Sequence, residues 1–130
     1  MKSTVLVVDD NDDTRSLLQF ALEQEGYAVS TVSGGASALR FLENIQPDLI
    51  VTDLMMPEVS GLDFIKKARR NPQYSNTPII ILSAFSQGYY NEAKEAGATM
   101  VLDKPVDVLS LPEIVGQLLT SVHASPSNNW

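Results

Sequence analysis

No cysteine occurs in this chain, which excludes disulfide bridges and thiolate chemistry and leaves nothing that argues for an oxidising compartment. Positive charge is scarce too. Nine Lys and Arg face 16 Asp and Glu, giving a formal charge of −7 and a pI near 4.5. Affinity for nucleic acid depends on neutralising phosphates with basic side chains, so no direct contact with DNA is expected; any such contact needs another domain. A long apolar run at the start is also missing. Met1-Lys2-Ser3-Thr4 leads into Val5 to Val8, which stops at two acids, and this is neither a signal peptide nor a membrane span. The expectation is a soluble cytoplasmic protein. What the chain does have is 44% hydrophobic residues over 130 positions, enough for one ordinary globular domain and too few for a second.

Five short apolar or β-branched segments read as strands: Val5 to Val8, Ala28 to Val32, Leu49 to Thr52, Ile79 to Leu82, and Met100 to Leu102. Stretches with helical spacing lie between them, carried by Leu17, Leu18, Ala21 and Leu22, by Ala38, Leu39 and Leu42, and by Leu62, Ile65, Lys66 and Ala68. The first helix is the best bounded: it starts in Asn11-Asp12-Asp13-Thr14, whose short polar side chains cap free amides, and ends at Gly26, where a left-handed residue is tolerated. Ile79-Ile80-Ile81-Leu82 does not alternate with polar residues, which predicts burial on both faces. With strands and helices alternating, the expected fold is a doubly wound α/β domain, a parallel sheet with helices on each side. Residues 1–121 are assigned to it. Ser121 to Trp130, with its Ser125-Pro126-Ser127-Asn128-Asn129, lacks periodicity, so 122–130 is expected to be a flexible tail or the start of a linker.

In such sheets the ligand site lies beyond the carboxyl ends of the strands. There the first strand offers Asp9-Asp10, the third Asp53, the fourth Ser83, and the fifth Lys104-Pro105. Three gathered carboxylates repel one another unless a cation holds them, and hard oxygen ligands of this charge suit Mg²⁺ completed by water and phosphate oxygens. Lys104 supplies a point positive charge and Ser83 a hydroxyl donor, both useful to a phosphoryl group. An aspartate carboxylate can attack phosphorus to form an acyl phosphate, and Asp53, between the acidic pair and Lys104, is the best placed nucleophile. Singly, each feature has a plain structural role: two acids before a helix cap it, and Lys-Pro makes a loop corner. Jointly they point to a site, because stability alone does not gather three acids.

Val5-Leu6-Val7-Val8-Asp9-Asp10, Asp53-Leu54-Met55-Met56-Pro57, Gly61-Leu62-Asp63, Ser83-Ala84, Gly97-Ala98 and Lys104-Pro105 resemble the receiver-domain pattern of two-component response regulators, over roughly residues 4 to 121. The resemblance implies a flavodoxin-like fold, a five-stranded parallel sheet flanked by five helices. It implies that Asp10 is a direct Mg²⁺ ligand, that Asp9 holds a metal-bound water, that Met55 lends its backbone carbonyl, and that Asp53 is both metal ligand and phosphoryl acceptor. Ser83 would hydrogen-bond the bound phosphoryl and draw its loop inward, and Lys104 would pair with a phosphoryl oxygen. The implied partners are a histidine kinase or histidine phosphotransfer protein upstream and a protein or effector domain downstream, with the chain a monomer or weak dimer. Such a module promotes its own phosphorylation and dephosphorylation in signal transduction and is not a conventional turnover enzyme.

The sequence departs from that pattern in places. Val101 stands three positions before Lys104, where the family usually carries an aromatic ring that swings inward, so a ring-burial readout is not expected here. Asp103 should point away from the site by strand alternation, into solvent or toward the last helix. Met55 and Phe85 lie two positions beyond Asp53 and Ser83, positions that in the receiver family flank the phosphoryl group and influence how water approaches it; neither can orient a water molecule, so the resemblance implies slow self-dephosphorylation. Tyr89 and Tyr90 cannot share one helical face, so at least one ring should be exposed. His123 lacks partners in sequence and is not expected to carry a phosphoryl group or a metal. Two other readings compete. Asp10-Asn11-Asp12-Asp13-Thr14 fits an Asp-x-Asp-x-Thr motif, as in haloacid-dehalogenase-like phosphatases with Asp10 as nucleophile, and a pseudo-receiver scaffold would need no phosphorylation at all. A flavin carrier is disfavoured because an acidic first loop repels a flavin phosphate.

Overall fold

In the computed structural model, which describes residues 2–124, strands and helices alternate strictly. They are β1 (Thr4–Val8), α1 (Asp12–Gln24), β2 (Ala28–Val32), α2 (Gly35–Asn44), β3 (Leu49–Asp53), α3 (Gly61–Arg69), β4 (Ile79–Ser83), α4 (Ser86–Ala96), β5 (Met100–Asp103) and α5 (Leu111–Ala124), with a short 3₁₀ turn at Pro72–Tyr74. The sheet is parallel throughout, in the order β2-β1-β3-β4-β5. The strands run parallel but their order of addition reverses between β1 and β3, so the carboxyl ends of these two strands flank the crevice where doubly wound sheets bind ligands.

Burial on both faces follows from the apolar strands. Leu6, Val8, Ile50, Ile79 and Ile81 face one core with Ala38, Leu42, Phe64, Ile65 and Ala93. Their neighbours Val5, Val7, Leu49, Val51, Ile80 and Leu82 face the other, with Leu18 and Leu22 of α1 and Leu111, Val115 and Leu119 of α5. Removing each such side chain from water is worth about 1.5–3 kcal/mol, and the two-sided pattern locks the register, since a slip by one residue would exchange the cores.

Local chemistry sets the helix ends. Asn11 accepts a hydrogen bond from the Thr14 amide at 2.9 Å, and Ser60 accepts one from Asp63 at 3.2 Å. Gly26 and Gly97 follow α1 and α4 with positive φ of 91° and 117°. Among the described residues the half-buried Arg69 guanidinium has no carboxylate partner; it donates to the carbonyls of Thr77 at 2.7 Å and Gly97 at 2.8 Å, and also to that of Tyr74, tying the end of α3 to the end of α4 and the entry to β4.

The last helix runs from Leu111 through Ala124. Leu111, Val115 and Leu119 pin one face of it to the sheet. The His123 side chain and residues 125–130, including Trp130, lie outside the described residues. Asp103 points outward and is exposed, as alternation predicts, and its carboxylate accepts from the Ser86 hydroxyl of α4 rather than meeting the last helix. The tyrosine expectation holds: Tyr89 packs on the core while Tyr90 is half exposed.

Candidate functional site

The carboxyl ends of β1 and β3 bring Asp9, Asp10 and Asp53 together, with one oxygen from each within 4.8 Å of the others. Asp9 and Asp53 are buried, while Asp10 faces solvent. Lys104, just past β5, reaches across: its Nζ lies 3.1 Å from Asp53 Oδ1 and 3.2 Å from Asp9 Oδ2. Asp9 is fixed further by the Asn11 amide, which donates to Oδ1 at 2.9 Å, and Arg15 braces the same loop by donating to the Asp9 carbonyl at 2.8 Å. Ser83 ends β4 beside them, its Oγ accepting from the Phe85 amide at 3.0 Å and its carbonyl accepting from the Lys104 amide at 2.9 Å.

The electrostatics are uneven. Burial pushes the Asp53 carboxyl above its usual range, the Lys104 hydrogen bond pulls the other way, and the charges of Asp9 and Asp10 add to the rise. Burial also works against the Lys104 charge, yet its bond to Asp53 and the charges of Asp53 and Asp9 outweigh this and hold the ammonium above its ordinary value. The pair therefore favours the lysine cation without fully compensating the aspartate, because three carboxylates share one ammonium. This oxygen-rich, under-neutralised cluster fits a hard divalent cation.

Of the residues expected at the site, Asp9, Asp10, Asp53 and Lys104 converge directly and Ser83 borders them. The Met55 side chain points outward, 64% exposed, and Phe85 is 65% exposed, so neither covers the acids with a polar group. Asp12, required by the phosphatase motif, instead pairs with Arg15 at 2.5 Å on the surface of α1. Gly61, part of the Gly61-Leu62-Asp63 motif, also borders the site. A Cβ there would sit 2.3 Å from the Asp53 carbonyl oxygen and 2.9 Å from Leu54 Cα, so the start of α3 packs directly on the backbone that carries Asp53. The Gly61 amide closes the loop by donating to the Leu54 carbonyl at 2.8 Å. Glu58, inside this loop, takes a positive φ of 68°.

A parallel sheet of this order, with acids and a lysine gathered at its carboxyl edge, is a flavodoxin-like fold with a charged site at its switch point. The family model described as the response regulator receiver domain matches residues 5–116, and the chain belongs to that family. It is 40% identical over 114 residues to an uncharacterized 14.6 kDa protein from the sodA1 3′ region of Leptolyngbya boryana, covering 87% of each chain. It is 39% identical to the alkaline phosphatase synthesis transcriptional regulatory protein PhoP of Bacillus subtilis, covering 81% of this chain but only 43% of that regulator's length. Among solved structures, the receiver domain of the sensor histidine kinase PA1611 from Pseudomonas aeruginosa superposes with a TM-score of 0.86 at 28% identity, over 93% of this chain and all of that one; its active-site cleft coordinates a magnesium ion. The chain is thus a two-component receiver domain. No described helix is long and apolar enough to cross a membrane.

Proposed function

We propose that the Asp53 carboxylate accepts a phosphoryl group from a phosphohistidine on a histidine kinase or histidine phosphotransfer protein in the cytoplasm, and that the acyl phosphate switches the domain toward a downstream partner. The observation that carries this reading is the Lys104 bridge to Asp53 and Asp9 beside the exposed Asp10, which sets a buried carboxylate within a cluster of acids that could hold a cation. A Mg²⁺ held by Asp10, Asp53 and the Met55 carbonyl, with Asp9 acting through water, would neutralise charge on the phosphoryl oxygens. Asp53 Oδ attacks phosphorus, the new O–P bond forms as the N–P bond breaks, and the leaving imidazole nitrogen keeps the electron pair. Lys104 then exchanges a carboxylate partner for a phosphoryl oxygen, and the Ser83 hydroxyl donates to another. Nothing in the geometry favours the phosphatase reading, since Asp12 is turned away on α1.

The test is incubation with a small-molecule phosphodonor, read by intact mass. One phosphoryl increment is expected with Mg²⁺ and none with chelator. Borohydride reduction, which converts an acyl-phosphorylated aspartate to homoserine, should mark residue 53. A mark at residue 10 would revive the phosphatase reading, and no increment under conditions that label another receiver would leave a scaffold.

Met55 and Phe85 add a prediction about lifetime. Neither side chain can hydrogen-bond an attacking water, so the phosphoryl group should persist, and Met55→Glu should shorten its half-life several-fold by orienting water. The decay of the mass increment after removal of donor measures it, and an unchanged half-life would show that these positions do not govern water access.

A further inference from the structure

We infer that Ser86 and Asp103 form a latch that holds the β4–α4 loop in its unphosphorylated position and thereby sets how readily the site takes up a phosphoryl group. The inference rests on the Asp53 reading above. The Ser86 hydroxyl, in the first turn of α4, donates to the Asp103 carboxylate at the end of β5. Position 103 pairs with Ser83 across the sheet and is bonded directly to Lys104. Strand alternation turns the Asp103 side chain outward to the loop while Lys104 turns inward to Asp53 and Asp9, so one strand end carries both the latch and the site cation.

The start of α4 lacks a fastening of its own. Phe85 occupies the cap position, where its side chain has no acceptor to offer, and no side-chain cap bond forms. Asp103 supplies what the helix does not: an acceptor for Ser86 and a negative charge near the free amides of the first turn. The loop from Ser83 to Ser86 is then tied at three points. The Lys104 amide holds the Ser83 carbonyl, the Phe85 amide holds the Ser83 hydroxyl, and Asp103 holds Ser86. No hydrogen bond joins Ser83 to Asp53 among the described residues. For the Ser83 hydroxyl to reach a phosphoryl oxygen, the loop must draw inward, and the tie at Ser86 opposes that movement.

A hydroxyl-to-carboxylate bond at a partly exposed position shifts such an equilibrium by about two- to tenfold. A ligand that binds only the inward form gains that factor in apparent affinity when the latch is removed. Ser86 and Asp103 are therefore positioning residues; they touch neither the nucleophile nor the transferred group.

Beryllofluoride with Mg²⁺, a mimic of the aspartyl phosphoryl group, tests the latch on the full chain by titration followed in backbone amide NMR signals. Ser86→Ala, which leaves the charge untouched, should bind beryllofluoride about two- to tenfold more tightly while its affinity for Mg²⁺ alone stays as in the wild type. In an Asp103→Ala background, Ser86→Ala should have no further effect. Tighter binding in Asp103→Ala but not in Ser86→Ala would reduce Asp103 to a charge beside Lys104 and overturn the latch. So would additive gains in the double variant, or weaker binding in Ser86→Ala. A wild type that binds Mg²⁺ yet ignores beryllofluoride would overturn the Asp53 reading and the latch with it.

Discussion

Asp53→Asn should abolish phosphoryl uptake and, at the same time, make the metal-free protein more stable at neutral pH. An amide is no nucleophile toward phosphorus, so the mass increment should vanish completely. The stability gain follows from the charge balance: the variant keeps the Lys104–Asp9 contact at 3.2 Å while losing a buried carboxylate that two neighbouring acids repel. The sign is fixed by the direction of the shift. The folded-state value of Asp53 lies above its unfolded one, chiefly through burial, so the folded protein binds more protons between those two values. Wild-type stability contributed at this position therefore declines as pH rises through that window, and the variant escapes the decline. The advantage of Asp53→Asn should open from acid toward neutral pH. Urea unfolding across pH without Mg²⁺ measures the difference. Added Mg²⁺ should stabilise the wild type and have less effect on the variant. A variant that is less stable than wild type at neutral pH would mean that the Lys104 pair outweighs the repulsion.

The rim residues were legible because strands announce their own ends. Asp9, Asp10, Asp53, Ser83 and Lys104 each follow an apolar run, and a parallel doubly wound sheet must place such positions on one edge. The boundaries moved by a residue where polar side chains continue the ladder: Asp53 and Ser83 fall inside β3 and β4, and Asp103 inside β5. What could not be read depends on packing between distant segments. Arg69 looks like an ordinary basic residue in the last turn of α3, and only the fold shows its guanidinium among carbonyls five, eight and 28 residues away. Asp103 was assigned the right direction by alternation, but alternation does not name the partner, and Ser86 lies 17 residues earlier. The same limit applies to Gly61, recognisable as a motif glycine but not as the residue that presses on Asp53.

Val101 links the site to the rest of the molecule. It is partly buried against the core that α2, α3 and α4 share with the sheet, and it has no ring to swing. Under the Asp53 reading proposed above, the segment that leads from Ser83 to the first turn of α4 would carry the response, and that turn precedes Tyr89 on the core and Tyr90 on the surface. Exposure of Tyr90 places an aromatic group where movement of α4 would change what a partner meets.

Gly61→Ala should cause a large loss of stability, because its new Cβ would meet backbone rather than side chain. Strain in φ is not the reason; the cause is contact with backbone. The new Cβ would lie 2.3 Å from the Asp53 carbonyl oxygen, 2.9 Å from Leu54 Cα and 3.2 Å from the Asp53 carbonyl carbon, none of which can rotate aside as a side-chain tip can. Relief requires α3 to lift from the end of β3, which breaks the Gly61-to-Leu54 hydrogen bond and loosens the burial of Phe64 and Ile65 one turn later. A loss of about 3 kcal/mol or more is expected, at the upper end of overpacking effects, which lowers the melting temperature by roughly 10 °C. The folded fraction that remains should also take up phosphoryl more slowly, because the displaced backbone is the one that aims Asp53 at Lys104. Gly34→Ser is the control. A Cβ there meets nothing within 4 Å, and serine suits the cap of α2, so stability should stay within about 0.5 kcal/mol of wild type. Thermal unfolding of both variants, with the phosphorylation rate of each measured well below its melting temperature, separates the two consequences. A Gly61→Ala protein as stable as wild type would show that α3 is free to move off the Asp53 backbone, and the packing account of this residue would then be wrong.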